Sequence, residues 1–565
     1  MSLRVALTLG STVRHRLPED VLELCRLSEA RLIGHRATPV QIHDRMALIG
    51  WAFHREGLGA CDTLDDEAVA QIRAQHGSWA LRHLWGNFLL AWADDAGAIW
   101  LLRSPPSGQG VYRACSKNAA GDKSAVCIFT DLALARALGF RFDRPDPEAI
   151  DAHIRFPLLR GRATGIADVS EILPGEVIDV ATGSISDASW SPWNHVAIPP
   201  RHVPPDELHA CVSGIVRAWA TRFGRLQLEL SGGLDSSIVA ACLRGRETPW
   251  RAVNLATPGV PGDERVYART SAERAGVEMV EIVMSDELGD PFALLVQPRA
   301  RPGGFGLLGE SDAALLNAAR DFGAEAIFTG VGGDNVFGYI RKAGPVVDAL
   351  KYAGPRTAWR AAGDLAVMTG DSIWRALWLA ARRLVTRPRL WPRDPSLLST
   401  RYDRLRPDHP WLEVPHGIAP GQFSYGRALL PIQPFVDGYD RAFAMPMIAP
   451  LLSQPLVELG LEVASWKWCQ GGHDRSLARQ AFAEELAPVV RDRRTKGRVE
   501  SLFVPTFNAN RSRLRGFLLD GWLASAGILD VDAVNAALDP PADALDAVYI
   551  RLLQIADVER WVRSL

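Results

Sequence analysis

The 565-residue chain has little of what would place it in a membrane, on nucleic acid or around a structural metal. Its seven cysteines (Cys25, Cys61, Cys115, Cys127, Cys211, Cys242, Cys469) are odd in number, scattered, and never spaced as Cys-x-x-Cys. That pattern excludes a zinc ribbon and a disulfide framework, and fits reduced thiols in a cytoplasmic protein. The net charge is only −2, so neither nucleic acid nor an anionic membrane is an expected partner. Long apolar runs are missing as well. The longest uncharged stretch, Ala442 to Val457, is broken by Pro446, Pro450 and Pro455 and cannot insert as a membrane helix. The N-terminus is a better β-strand than a signal peptide. With 47% hydrophobic and 23% charged residues the composition is that of an ordinary globular protein, and the length argues for two domains.

What the chain does contain is a strand, a glycine-rich turn and a helix. Leu226 to Leu230 is a short apolar strand, Ser231 to Leu234 the turn, and Ser236 opens a helix that runs on to Leu243. Paired glycines at such a junction let backbone N–H groups approach an anion. The hydroxyls of Ser236 and Ser237, with the helix dipole, add donors aimed at the same point. This is a phosphate cradle but not a Walker A loop, because no Gly-Lys-Ser/Thr follows the glycines. An acid in such a cradle, Asp235, makes sense as a ligand of Mg²⁺ that bridges to pyrophosphate oxygens. An ordinary capped turn would use the same residue types.

A second turn of the same kind follows the strand Ala326 to Thr329: Gly330-Val331-Gly332-Gly333-Asp334-Asn335. Two acids at two strand ends are what a Mg²⁺–ATP site needs. Between the turns, Arg251 to Ala256 and Met279 to Val283 read as strands around a helix opened by Asp263-Glu264 and ending at Ala275, which predicts a doubly wound parallel sheet. In such a sheet the ligand lies beyond the carboxyl ends of the strands, so Val253 to Thr257 is where adenine is expected. The glycine-rich stretch Arg299 to Glu310 is expected to face the substrate, although a plain surface loop fits equally well.

Ser231-Gly232-Gly233-Leu234-Asp235-Ser236-Ser237 resembles the pyrophosphate loop of the ATP-pyrophosphatase enzymes, and in particular of the asparagine synthetase family. Members of that family adenylate a carboxylate, release pyrophosphate and let an amine attack the acyl carbon. The resemblance implies ATP and Mg²⁺ as cofactors. It also implies ATP contacts from Leu230 through Ser237 and from Asn254, Leu255, Gly332 and Gly333, with Asp235 and Asp334 as metal ligands. Leu486 to Arg498 is similar to the family's Leu-Pro-x-x-Ile-x-x-Arg-x-Lys element, which makes Arg494 its arginine and Lys496 the lysine that contacts the α-phosphate and the leaving pyrophosphate. Asp235, Asp334 and Lys496 are thereby the implied catalytic set. Ala449 to Glu458 is similar to another family segment, with Ser453 in place of its aspartate.

Upstream, Gly86 to Asp94, Ser107 to Tyr112 and Leu173-Pro174-Gly175-Glu176 are similar to segments of the family's glutaminase domain. The expected fold class is therefore α/β. An N-terminal-nucleophile-type (Ntn-hydrolase-like) layered sandwich over residues 1–200 precedes a doubly wound ATP-pyrophosphatase (PP-loop) domain over 201–565 with helical elaborations; the proline-rich joint from Trp190 to Pro205 divides them. The first domain reads as a degenerate glutaminase. A working one needs cysteine directly after the initiator methionine, and this chain has Ser2, while Cys25 and Cys61 sit too far along to take the role.

Val331 occupies a slot that holds glutamate in asparagine synthetases and a base-assisting tyrosine in β-lactam synthetases. Valine serves neither chemistry. An α-amine, with a reference pKa of about 7.7–8.0, needs the least help to attack. By elimination and resemblance the chain is most similar to the lasso-peptide cyclases, which adenylate an Asp or Glu side chain of a precursor peptide and close a macrolactam with its N-terminal amine. A precursor peptide, a leader peptidase and a leader-binding protein are the implied partners. A small-molecule amide ligase, of the β-lactam synthetase or ammonia-dependent asparagine synthetase kind, and a non-catalytic peptide scaffold are the alternatives. The basic run Arg382, Arg383, Arg387, Arg389 and Arg393 reads as a solvated face or as a hold for an acidic peptide segment.

Overall fold

A computed structural model describes residues 3–10, 17–106, 108–117, 123–256, 263–284, 290, 292–293, 298–303, 308–339, 341–386, 389–494, 503–539 and 548–565. Before residue 180, alternating apolar segments form two antiparallel sheets. One has six strands in the order Val169–Ile172, Val111–Lys117, Lys123–Phe129, Val5–Leu9, Ala30–His35, Val21–Leu27. The other has five, in the order Val177–Asp179, Ile99–Arg103, Leu84–Ala93, Met46–His54, Val40–His43. Val5, Leu7, Leu32 and Ile128 of the first sheet line the same small void as Ile49, Leu89, Ala91 and Leu101 of the second, so the sheets stack face to face. Met46–His54 is buried along its length except at His54, which explains why its sequence is continuously apolar rather than alternating.

The third sheet is parallel. Its strands are β1 (Leu226–Glu229), β2 (Trp250–Ala256), β3 (Met279–Val283), β4 (Ala326–Phe328) and β5 (Met447–Ile448), in the spatial order β3-β2-β1-β4-β5. The helices α1 (Pro205–Ala220), α2 (Leu234–Leu243), α3 (Arg265–Ala275) and α4 (Gly309–Asp321) accompany it. Strand order reverses between β1 and β4, and a crevice opens beyond the carboxyl ends at that point. Both glycine–acid turns emerge there. Among the described residues no helix is long and apolar enough to cross a membrane.

The halves share cores. Trp219 on α1 meets the stacked pair Phe53–Trp85, with ring centroids 4.9 and 6.1 Å away. Such contacts add about 0.5–1.5 kcal/mol each beyond area burial. The C-terminal helices Phe503–Leu519 and Val548–Val562 return to the N-terminal half, where Phe507, Leu514, Tyr549 and Trp561 share one apolar core with Ala6, Ile33 and Phe129 of the six-stranded sheet.

A buried ionic hub completes the junction. Glu171 accepts from Arg160 at 2.8 Å and Arg103 at 3.0 Å and also pairs with Arg301, while Arg160 grips Asp437. The stretch Arg299 to Glu310 is not a plain surface loop where it is described: Arg299, Ala300 and Arg301 are buried, and Leu308 lines the crevice beyond the parallel sheet. Arg299 pairs with the partly exposed Asp440 and donates to the Gly438 carbonyl, and Arg301 is only 6% exposed because the buried Glu171 carboxylate demands guanidinium partners. Residues 304–307 of that stretch lie outside the described residues.

Burial alone would raise the Glu171 carboxyl; Arg160, Arg301 and Arg103 outweigh it and bring it from 4.5 down to about 2. A depressed carboxylate contributes stability above its unfolded pKa, and that contribution fades as pH falls from about 4.5 towards about 2. Glu171→Gln, which strands the guanidinium groups, should cost about 3–5 kcal/mol in urea unfolding near neutral pH, and its deficit relative to wild type should shrink through this acid window. A pH-independent deficit would contradict the hub.

Candidate active site

The carboxyl ends of β1 and β4 open into a cavity of about 610 Å³. Leu230, Ser231, Gly233, Leu234, Asp235 and Ser236 line it from the first turn, Leu255 from β2, and Gly332 and Asp334 from the second turn. Two glycines make this possible sterically. Gly232 has φ 74°, and a Cβ on it would lie 2.5 Å from the Ala268 backbone nitrogen of α3. A Cβ on Gly333 would lie 2.4 Å from the Asp235 carboxyl carbon. Gly232 and Gly333 thus shape the cavity from behind its lining, the second by letting the two turns touch.

Ser237 and Asn254, also in the expected ligand set, are not in the cavity lining. Helix α2 begins at Leu234, two residues earlier than the sequence suggests, and about 100° of helical rotation per residue separates Ser237 from Ser236. The Ser237 hydroxyl is buried 2.8 Å from the Ser271 hydroxyl of α3, away from the cavity, whereas Ser236 Oγ stays 3.2 Å from Ser231 Oγ at its edge. Asn254 Nδ2 donates to the Leu230 carbonyl at 2.8 Å and ties β2 to the start of the turn, while its buried Oδ1 has no hydrogen-bond partner among the described residues. Lys496, Ser2, Ser107, Thr257 and Arg387 lie outside the described residues.

The centre of the site is a residue to which no motif points. Arg475 Nη1 lies 3.1 and 3.3 Å from the two Asp235 oxygens and also contacts Asp334 Oδ1, while its Nε donates to Asp474 at 2.9 Å. Burial opposes the charge on this guanidinium, but Asp235, Asp334 and Asp474 outweigh it and raise the pKa further above its ordinary value. Arg475 sits at φ 53°, a left-handed conformation that costs a non-glycine residue on the order of 1–2 kcal/mol. The Tyr339 ring lies 5.4 Å from its guanidinium carbon. Arg479, which donates to Asp474 at 2.8 Å, and Arg493 and Arg494 extend a cationic wall. On the other side Arg441 joins Glu229 at 2.8 Å and also pairs with Asp312.

This donor set suits a hard cation and a polyphosphate. Asp235 and Asp334 reach one nitrogen of Arg475, so they can also reach one Mg²⁺, which binds through one or two carboxylates and completes its shell with phosphate oxygens and water. Among the described residues no group of three or more His, Cys, Asp or Glu forms a metal cage. The arginine wall matches phosphate charge, and the apolar Val253 and Leu255 offer a surface for a base. Val331 presents only an aliphatic side chain to the cavity. Burial pushes up the Cys25 and Cys61 thiols, the latter to about 11, so neither is a ready nucleophile.

The family model Asparagine synthase matches residues 216–563, which holds α2, the parallel sheet and every residue of the cavity. No curated protein sequence matches the chain.

The bridge from Arg475 to Asp334 can be measured by a double-mutant cycle of Arg475→Gln and Asp334→Asn. Asp334 is 41% exposed, so solvent screens part of the attraction, and a coupling on the order of 1 kcal/mol in urea unfolding is expected. Strictly additive single effects would rule the bridge out.

Proposed function

The chain belongs to the asparagine synthase family and is an ATP-dependent carbon–nitrogen ligase that forms AMP and pyrophosphate, and from that premise we propose that it cyclises a peptide. In this reading a side-chain Asp or Glu carboxylate of a precursor peptide is adenylated, and the peptide's own N-terminal amine closes the macrolactam. The observation that carries the proposal is Val331. It stands in the cavity wall beside Asp334 and supplies no proton acceptor. The attacking amine must then be one that is already substantially neutral, as an α-amine is near its reference pKa of about 7.7–8.0.

The turn at Ser231–Ser236 and the wall of Arg475, Arg479, Arg493 and Arg494 bind the triphosphate. Asp235 and Asp334 would hold Mg²⁺, which when bound neutralises phosphate charge. The acceptor carboxylate oxygen bonds to the α-phosphorus as the bond to the leaving pyrophosphate breaks. Lys496, by the family resemblance, stabilises the charge that builds on the leaving group. The amine nitrogen then bonds to the acyl carbon, its proton passes to solvent, and AMP departs. Holding both ends of one peptide together lowers the entropic barrier to that second step.

The N-terminal half, read as an Ntn-hydrolase-like domain that has lost glutaminase chemistry, serves as a scaffold. The enzyme is read as cytoplasmic, with a leader peptidase and a leader-binding protein as its partners.

Mass spectrometry of a linear peptide with a free N-terminus and an acidic residue several positions in, incubated with the protein, ATP and Mg²⁺, tests the reading. Loss of one water with formation of AMP and pyrophosphate is expected, and Asp235→Asn should lower the rate by on the order of a hundredfold or more. AMP formation with ammonia or a small β-amino acid, and an unchanged peptide, would assign a small-molecule amide synthetase instead. No pyrophosphate under any condition would indicate a scaffold.

A further inference from the structure

A second open cavity, about 640 Å³, lies between the loop after Tyr339 and the helices α5 (Pro355–Thr369) and α6 (Ile373–Val385). Its cationic lining consists of Arg341, Lys342, Arg382, Arg383, Arg389 and Arg427. We propose that this pocket binds an acidic segment of a polypeptide, which deepens the peptide-cyclase reading and rests on it: the segment belongs to the substrate chain whose carboxylate is activated next door.

Charge makes the first part of the case. In a chain of net charge −2, six cations around one cavity are not a consequence of composition. The one carboxylate in the lining, Asp371, is already engaged by Arg375 at 3.3 Å, and Arg375 is not itself part of the lining. Among the described residues none of the six cations has a carboxylate partner. Arg341 donates instead to the Met368 carbonyl, and Arg427 to the Arg389 and Leu390 carbonyls. Burial lowers the Lys342 ammonium, and the like charges of Arg427 and Arg383 lower it further. Burial and Arg383 do the same to Arg427. Like charges held together without counterions destabilise the fold, and an arriving anion relieves that repulsion.

Apolar surface makes the second part. Phe423 lines the pocket, and Trp378, 59% exposed, lies beside Arg382 with its ring 5.8 Å from the guanidinium carbon. A carboxylate flanked by apolar side chains matches that mixture better than a free inorganic anion does.

Position makes the third. Arg341 lies 5.8 Å from the ring of Tyr339, and Tyr339 lines the nucleotide cavity with Arg475 on its ring. One aromatic side chain separates the two cavities. A chain leaving the adenylation site can run directly into the basic pocket.

The test is fluorescence anisotropy with fluorescein-labelled hexaglutamate and the full-length protein, without ATP. Saturable binding is expected, weakening steeply with salt and falling roughly tenfold in R382Q/R383Q. R356Q/R360Q, which removes two exposed arginines of α5 outside the pocket, should bind as wild type. Equal binding by R382Q/R383Q and wild type, or no saturable binding, overturns the proposal. Binding to phosphatidylglycerol vesicles with none to hexaglutamate overturns it in favour of a membrane-facing patch. Because ATP is absent, the two readings fail separately: a protein that binds hexaglutamate through α6 but modifies no peptide refutes the cyclase alone.

Discussion

Two carboxylates held against one guanidinium nitrogen are the interaction on which the active site depends. Asp235 and Asp334 repel each other, and at such proximity they need a cation between them. Arg475 supplies one, reaching back 240 residues to Asp235 and 141 to Asp334. Everything around it serves that convergence. The reversal of strand order places β1 beside β4, Gly333 removes the Cβ that would push the turns apart, and the left-handed backbone at Arg475 turns its side chain inward. A cation-binding geometry is thus built into the fold from three distant segments.

The same economy explains the N-terminal half. Arg160 is locked between Glu171 and Asp437. Two residues before Asp437, Phe435 forms part of the wall of the nucleotide cavity. The N-terminal half therefore braces the active site through buried charge that is stable only when every partner is present. The aromatic cluster of Phe53, Trp85 and Trp219 and the returning C-terminal helices add an apolar bond between the halves.

Charge is distributed by task. Arg475, Arg479, Arg493 and Arg494 line one cavity together with Asp235 and Asp334, and Val331 adds an aliphatic side chain to the same lining. A second concentration of arginine lies one aromatic ring away. In the proposed peptide cyclisation, a substrate chain would engage both cavities at once.

Patterns of short range were legible in the sequence. Period-two and apolar runs located β1, β2, β3 and β4 to within a residue or two, and the two glycine–acid turns were legible because each turn is a local structure. Other contacts depend on neighbours that the local pattern does not show. The Ser237 hydroxyl meets Ser271 of α3, Asn254 ties its strand to Leu230, and Arg299 and Arg301 answer carboxylates of other segments. Arg475 carried no signal at all beyond its place before a helix. The run of arginines after Trp378 was visible as charge, but only the fold shows that Arg341, Lys342 and Arg427 join it around one cavity. Backbone propensity acts over a few residues and is written in the chain; which charges end up uncompensated, and which side chains face a ligand, is settled by contacts between segments 24 to 240 residues apart.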